Sequence, residues 1–187
     1  IGLEDNEVNR AYSNVDLGVG IRVIKGYQTG YSFTEILNRE SMLKAAGTAA
    51  NIANSSQKFK QQDLIEHKPA NYYKINTPWE QLGIDQKIPY LQRINDKVFQ
   101  LDKRIVKSNI SFNNSTSYIL FANSEGRITY DYQPMGQISV SCIAEQNGQR
   151  EQNGFNLSGR RGIEFFTDEN VNRLAEEAVE RTVSLFD

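Results

Sequence analysis

Cysteine and histidine are almost missing from this chain: of its 187 residues, one is Cys142 and one is His67. A lone thiol forms no internal disulfide, which excludes a disulfide-stapled secreted domain. One Cys and one His do not assemble a structural zinc site of the usual Cys/His kind. A Ser–His–Asp triad would have to use His67, which lies in the polar stretch Asp63–Pro69 and reads as a solvated loop residue. No run of about 18 uninterrupted apolar residues occurs, so no transmembrane helix is expected.

Runs of a single charge are missing too. Residues 58–107 carry ten Lys/Arg against six Asp/Glu, and residues 168–187 carry two against six, within a net charge of −2. The basic residues stand singly among acids, so nucleic acid is not an expected partner. Asn-x-Ser/Thr sequons at Asn54, Asn109, Asn113, Asn114 and Asn156 are chance matches among eighteen asparagines, with no signal-peptide pattern ahead of them. Ile1–Asp5 reads as the end of a strand entering a turn, and the sequence reads as cut from something longer.

What is abundant is aromatic: nine Tyr, nine Phe and one Trp, enough to bury a sizeable core. The length suits a single domain, residues 1–187. Gly18–Ile24 and Thr29–Thr34 predict a β-hairpin around Lys25-Gly26-Tyr27-Gln28. Its glycines, Gly18, Gly20, Gly26 and Gly30, mark either close backbone approach or bends. Glu40 to Ala53 predicts a helix with a small-residue face of Met42, Ala45, Ala46, Ala49, Ala50 and Ala53. Residues 54–79 are polar and aperiodic, either a connector wrapping the surface or a mobile segment.

Thr77-Pro78-Trp79-Glu80 has the form of a helix start with Thr77 as cap. A longer amphipathic helix is expected from Asp85 to about Asp102, with Ile88, Leu91, Ile94, Val98 and Leu101 on one stripe. Strands are expected at Ile105–Phe112, Tyr118–Ala122, Arg127–Tyr132 and Gln137–Glu145, joined by turns that include Asn123–Gly126 and followed by a turn at Asn147-Gly148. Cys142 shares a strand face with Ile138 and Val140, which predicts a buried, inert thiol. Gly154–Gly162 is the most backbone-permissive stretch. Thr167 then caps a last helix burying Val171, Leu174, Ala175, Ala178, Val179, Thr182 and Leu185. The order ββ-α-α-ββββ-α predicts an α+β fold, an antiparallel β-sheet with helices packed on it.

Several of these segments together resemble one family. Leu3-Glu4-Asp5, Asp16–Ile24, Gly26 and Thr29–Phe33 are similar to the N-terminal domain of the TldD/PmbA family. Asn123–Gly126 with Asp131 and Pro134 resembles its central hairpin, and Gly154–Gly162 with Glu164-Phe165-Phe166 and the Ala175–Ala178 helix resembles the segment before its domain boundary. The Gly-Arg run followed by Glu-Phe-Phe favours the TldD branch. The resemblance implies a cytoplasmic zinc metallopeptidase that hydrolyses peptides or unfolded proteins as a homodimer or heterodimer with a family subunit. Some members are labelled modulators of DNA gyrase. The alternative it leaves open is a non-catalytic PmbA-like partner or scaffold subunit.

In that family a His-Glu-x-x-x-His helix and a cysteine hold the zinc in a C-terminal domain. The present sequence ends at Asp187, ahead of such a domain, and the first helix and strand of the family pattern would lie before Ile1. No His-Glu pair occurs, so the resemblance assigns no catalytic residue and no metal ligand here, and the fragment alone is expected to be inactive. Substrate contacts are left open between the backbone of an exposed sheet edge and Arg160 with Arg161. These arginines either hold a carboxylate bidentately or are solvated loop charges. Tyr72, Tyr73 and Trp79 suit either a dimer contact or a set of rings pinning the connector to its own sheet.

Overall fold

The computed structural model describes residues 1–55 and 62–186. The chain forms two compact units, one from Ile1–Tyr12 with Leu64–Asp187 and one from Ser13–Asp63. The expectation of an α+β fold with an antiparallel sheet holds in both.

The smaller unit is a hairpin with one helix. Strands β3 (Val19–Lys25) and β4 (Gln28–Thr34) pair in full antiparallel register around a turn whose Gly26 has φ +58°. Helix α1 (Arg39–Ile52) begins at Asn38, whose side chain accepts from the Ser41 N–H at 2.8 Å. Its buried face is narrower than the sequence suggests: Ala45, Ala49 and the C-cap Ala53 are buried, whereas Met42, Ala46 and Ala50 are only partly covered. Gly30 decides how close the helix comes, because a Cβ there would fall 1.9 Å from the Ala49 carbonyl oxygen.

The larger unit is built on three long strands. β6 (Ile105–Ala122), β7 (Arg127–Gln146) and β8 (Gln149–Gly159) form a meander. β1 (Gly2–Glu4) joins the free side of β6 and carries β2 (Glu7–Arg10) beyond it, around a tight turn with Asp5 and Asn6 at positive φ. β5 (Ile65–Glu66) adds a short parallel pairing to β7.

Four expected strands are therefore two. The break placed at Asn113–Ser117 is continuous strand because that part of β6 is largely exposed and needs no hydrophobic alternation. The one placed at Gln133–Gly136 is strand as well, with Pro134 buried and Gly136 packed under Trp79. The glycine-rich stretch after Gly154 is the second half of β8, a strand the sequence reading lacks.

Helices α2 (Ile88–Leu101) and α3 (Asp168–Val183) bury Leu91, Ile94, Val98, Val171, Leu174 and Ala178 in one core with sheet residues Leu3, Ile110, Phe112, Ile138, Val140, Cys142 and Ala144. α2 starts three residues later than expected, since Asp85–Lys87 form a turn, and Pro89 sits in its first turn without breaking a bond. Thr167 caps α3 by accepting from the Asn170 N–H at 3.1 Å. Leu185 lies past the end of α3 in a single 3₁₀ turn and is exposed, so it leaves the predicted stripe.

Thr77 is not a cap either: Trp79–Gln81 is one 3₁₀ turn preceded by Pro78, with no side-chain cap. Its Trp79 is buried, tilted 5.0 Å from Phe112 and edge-on 5.8 Å from Phe166. Of the two roles open to Trp79, the structure selects the internal one. Tyr72 and Tyr73 remain exposed.

Candidate peptide-binding cleft

β7 is paired on its outer side by β5 at Arg127–Ile128 and by β8 from Gly136 onward. Between them, Thr129–Met135 has no strand partner on that side among the described residues. Residues 69–78 run beside this gap, and a cleft of about 460 Å³ opens between them, lined by Pro69–Tyr73, Ile75, Pro78, Tyr130–Tyr132 and Arg160.

Arg160 organises the cleft from just past the end of β8. Its Nη2 donates to Asp131 Oδ1 at 2.6 Å and to the Tyr132 carbonyl, and its guanidinium lies 4.8 Å from the Tyr73 ring centre. A hydrogen bond from the Gln133 amide, with Arg160 next, holds the Asp131 carboxyl below the usual carboxylate range. The sequence leaves Arg160 as a candidate holder of a ligand carboxylate; the structure commits it to Asp131. Arg161 is exposed.

The connector is fixed from the other side by Glu164. Its carboxylate accepts from the backbone N–H of Gly162 and Asn76 at 3.1 and 3.2 Å. Burial acts to raise the Glu164 pKa, but these backbone donors outweigh it and hold it low. Gly162 is required here, since a Cβ would sit 2.0 Å from the Thr77 carbonyl oxygen, which already accepts from the Ile163 N–H. Residues 69–78 are thus a strap held at both edges.

Beside the cleft lies a carboxylate nest that the sequence reading misses. Glu80 accepts from Tyr118 OH at 2.7 Å, Thr116 Oγ1 at 2.9 Å and Tyr132 OH at 3.0 Å. Burial opposes ionisation of Glu80, and the donors win, so its pKa is lowered. The converse holds for the phenols: burial and then Glu80 push Tyr132 up to about 12, and Tyr118 is raised by its bond to Glu80. Buried Lys87 reaches the Trp79 carbonyl at 3.2 Å and Asn114 Oδ1 at 3.5 Å, and desolvation lowers its pKa. The one available signal for this cluster is the spacing of Tyr130 and Tyr132 on one strand face.

His67 and Cys142 are not brought together. His67 is exposed at the end of β5, its N–H donating to the Ile128 carbonyl at 2.8 Å. Cys142 is fully buried, and desolvation pushes its thiol up to about 12. Among the described residues no group of three or more His, Cys, Asp or Glu could hold a metal ion. The donors present do not fit a zinc site.

Residues 77–186 match the PmbA/TldA metallopeptidase central domain, and residues 1–53 match PmbA/TldA metallopeptidase domain 1. The chain is 29% identical over 171 residues to a metalloprotease TldD homolog of Haemophilus influenzae, covering 88% of this chain and 34% of that protein. It is 26% identical over 164 residues to the metalloprotease TldD homolog of Buchnera aphidicola subsp. Schizaphis graminum, with the same coverage of 88% and 34%. The chain spans about a third of the length of these curated relatives. Its fold is shared with a proposed modulator of a DNA gyrase from Thermotoga maritima, at TM-score 0.66 and 18% identity over 98% of this chain and 41% of that one. TldE from Thermococcus kodakarensis aligns at TM-score 0.57 and 19% identity, over 96% of this chain and 40% of its own. With more than half of its residues in the central-domain match and most of the remainder in the other, the chain belongs to the PmbA/TldD metallopeptidase family.

Proposed function

We propose that residues 1–187 act together as the N-terminal part of a TldD-like metallopeptidase that hydrolyses peptides or unfolded proteins in the cytoplasm, and that this part binds substrate and contributes to a dimer. The observation that carries the reading is the gap in the β7 edge at Thr129–Met135 beside a tyrosine-lined cleft. A peptide is held there chiefly through its side chains, because Pro134 offers no N–H and Arg160 already takes the Tyr132 carbonyl. The Tyr72, Tyr73 and Tyr130 rings give apolar contact with polar tips and demand no particular sequence. Broad acceptance of unfolded chains is the chemistry such a site offers. Zinc and the general base belong to residues outside those described, and no step of hydrolysis is assigned to the present ones.

The test is kinetic. In the intact protein, Tyr130→Ala together with Tyr73→Ala is expected to raise KM for an unstructured peptide about tenfold while leaving kcat within twofold, because the rings bind substrate and do not touch the reacting bond. An unchanged KM removes the cleft from substrate binding.

The alternative reading is a non-catalytic PmbA-like partner subunit that supplies the cleft to a catalytic mate. The two separate on one measurement, since the intact protein purified alone either holds tightly bound zinc and cleaves peptide or does neither.

A further inference from the structure

Among the described residues, nothing pairs with the outer side of β6 from Asn113 to Ala122: β1 covers Asn109–Ser111, and β7 takes the other side. The ladder fixes which groups are free. On the outer side the Phe112 N–H donates to the Ile1 carbonyl, and the Ser108 carbonyl accepts from the Asp5 N–H. On the inner side the Asn123 N–H donates to the Arg127 carbonyl. Continuing this alternation, Asn114, Thr116, Tyr118, Leu120 and Ala122 turn N–H and C=O outward.

Open edges of this length are ordinarily blunted by charge, proline or a bulge. The β7 edge follows that rule: β5 and β8 cover its ends, Pro134 has no N–H to offer, and Arg160 takes the Tyr132 carbonyl. β6 does not. From Ser108 to Ala122 it contains no Asp, Glu, Lys, Arg or Pro, and its register with β7 is unbroken over those residues. Tyr118, Ile119, Leu120 and Phe121 are 76, 42, 56 and 51% exposed.

We propose that this edge is a self-pairing surface, on which a second copy of the chain lays its own β6 antiparallel across a two-fold axis. In a two-fold contact every residue meets the same set of residues on its mate, so a charge near the axis would meet like charge. A strand free of charge for fifteen residues is the pattern such self-pairing needs. Outward-bonding residues must oppose outward-bonding residues, which places the axis normal to the sheet. With the axis at Ile119, Ile119 faces its own mate in a non-hydrogen-bonded pair, and Tyr118 faces Leu120. The inference rests on the dimer of the preceding section and names its contact.

Substituting Ile119→Cys in the intact protein tests it. A non-hydrogen-bonded antiparallel pair has Cα atoms about 4.5 Å apart, within disulfide reach. Mild oxidation is expected to convert most of this variant to a covalent dimer, while Met135→Cys, equally exposed on β7 at 42%, stays uncrosslinked. Leu120→Lys is expected to weaken dimerisation at least tenfold by sedimentation. A monomer at tens of micromolar overturns the proposal, as does a dimer indifferent to Leu120→Lys in which the Ile119→Cys variant forms no crosslink. A monomer whose Tyr118–Ala122 amides become protected on adding unstructured peptide also overturns it, since the edge then takes substrate. Zinc content and peptide hydrolysis read on the same samples separate the two failures: hydrolysis without the crosslink defeats only the self-pairing, and the crosslink without zinc or hydrolysis defeats only the peptidase reading.

Discussion

Arg160 holds Asp131 at 2.6 Å with one nitrogen while its guanidinium lies over Tyr73, 4.8 Å from the ring centre. One side chain thereby ties the end of β8, the gap in β7 and the strap across the cleft. Arg160→Lys keeps the charge but loses the planar group that does both jobs. It is expected to speed proteolytic cleavage within residues 69–75 at least fivefold, with a small change in global stability, because the ion pair is partly exposed. Equal cleavage of the two proteins would show the strap is held by Glu164 alone.

Trp79 is the largest buried side chain of the core, in contact with Phe112 and Phe166. Trp79→Ala is expected to destabilise the larger unit by about 3–5 kcal/mol, and Trp79→Phe by clearly less. Denaturant unfolding measures both. A loss below about 1 kcal/mol for the alanine variant would mean that this turn docks only loosely.

Two pH dependences of opposite sign follow from the cluster around Glu80. Glu80, Asp131 and Glu164 all have lowered pKa values in the fold. Their contribution is complete above the ordinary carboxylate range near about 4 and is lost as pH falls through the depressed values. Tyr132 is raised to about 12, so its contribution is complete below the ordinary phenol value and is lost between about 10 and 12. Glu80→Gln is expected to bring Tyr118 back toward about 10 and to lower Tyr132 only in part, because burial is the larger cause there, as read in a tyrosinate absorbance titration. An identical titration in the two proteins would remove the bonds from Tyr118 and Tyr132 to Glu80.

The Cys142 thiol, buried and pushed up to about 12, is expected to react with a disulfide reagent only at the rate of global unfolding. Cys142→Ser is expected to cost about 1–3 kcal/mol by burying a hydroxyl where a soft sulfur packs. Rapid modification of the native chain would contradict the packing.

How much of this is legible in the sequence depends on whether an element has one wet face or two. α3 shows its cap, Thr167, and its buried stripe because one side faces a core and the other faces water. The ribbon of β6 and β7 has its distal half exposed, so Asn113–Ser117 looks like a break and is strand. In the cleft, Tyr72, Tyr73 and Arg160 stand out by type, yet the Arg160–Asp131 pair spans 29 positions and only the β7–β8 register brings it together. Glu80 is invisible as a site residue because its partners come from two strands far along the chain.

The placement of β1 against β6 has a consequence for how the chain folds. Residues 13–63 are an insertion between the first strands and the rest of the larger unit, so β1 docks only by closing a loop that contains all of them. The Leu3–Ile110 pairing closes a loop of about 105 residues, at about 4 kcal/mol of chain entropy beyond a constant, whereas the β6–β7–β8 meander closes through short turns. The meander with α2 and α3 is the natural nucleus, and β1 is the late arrival that seals Leu3 over Ile110. Lengthening the insertion twofold would add only about 0.4 kcal/mol to that closure, so the smaller unit is free to vary in size while the core it interrupts keeps its stability.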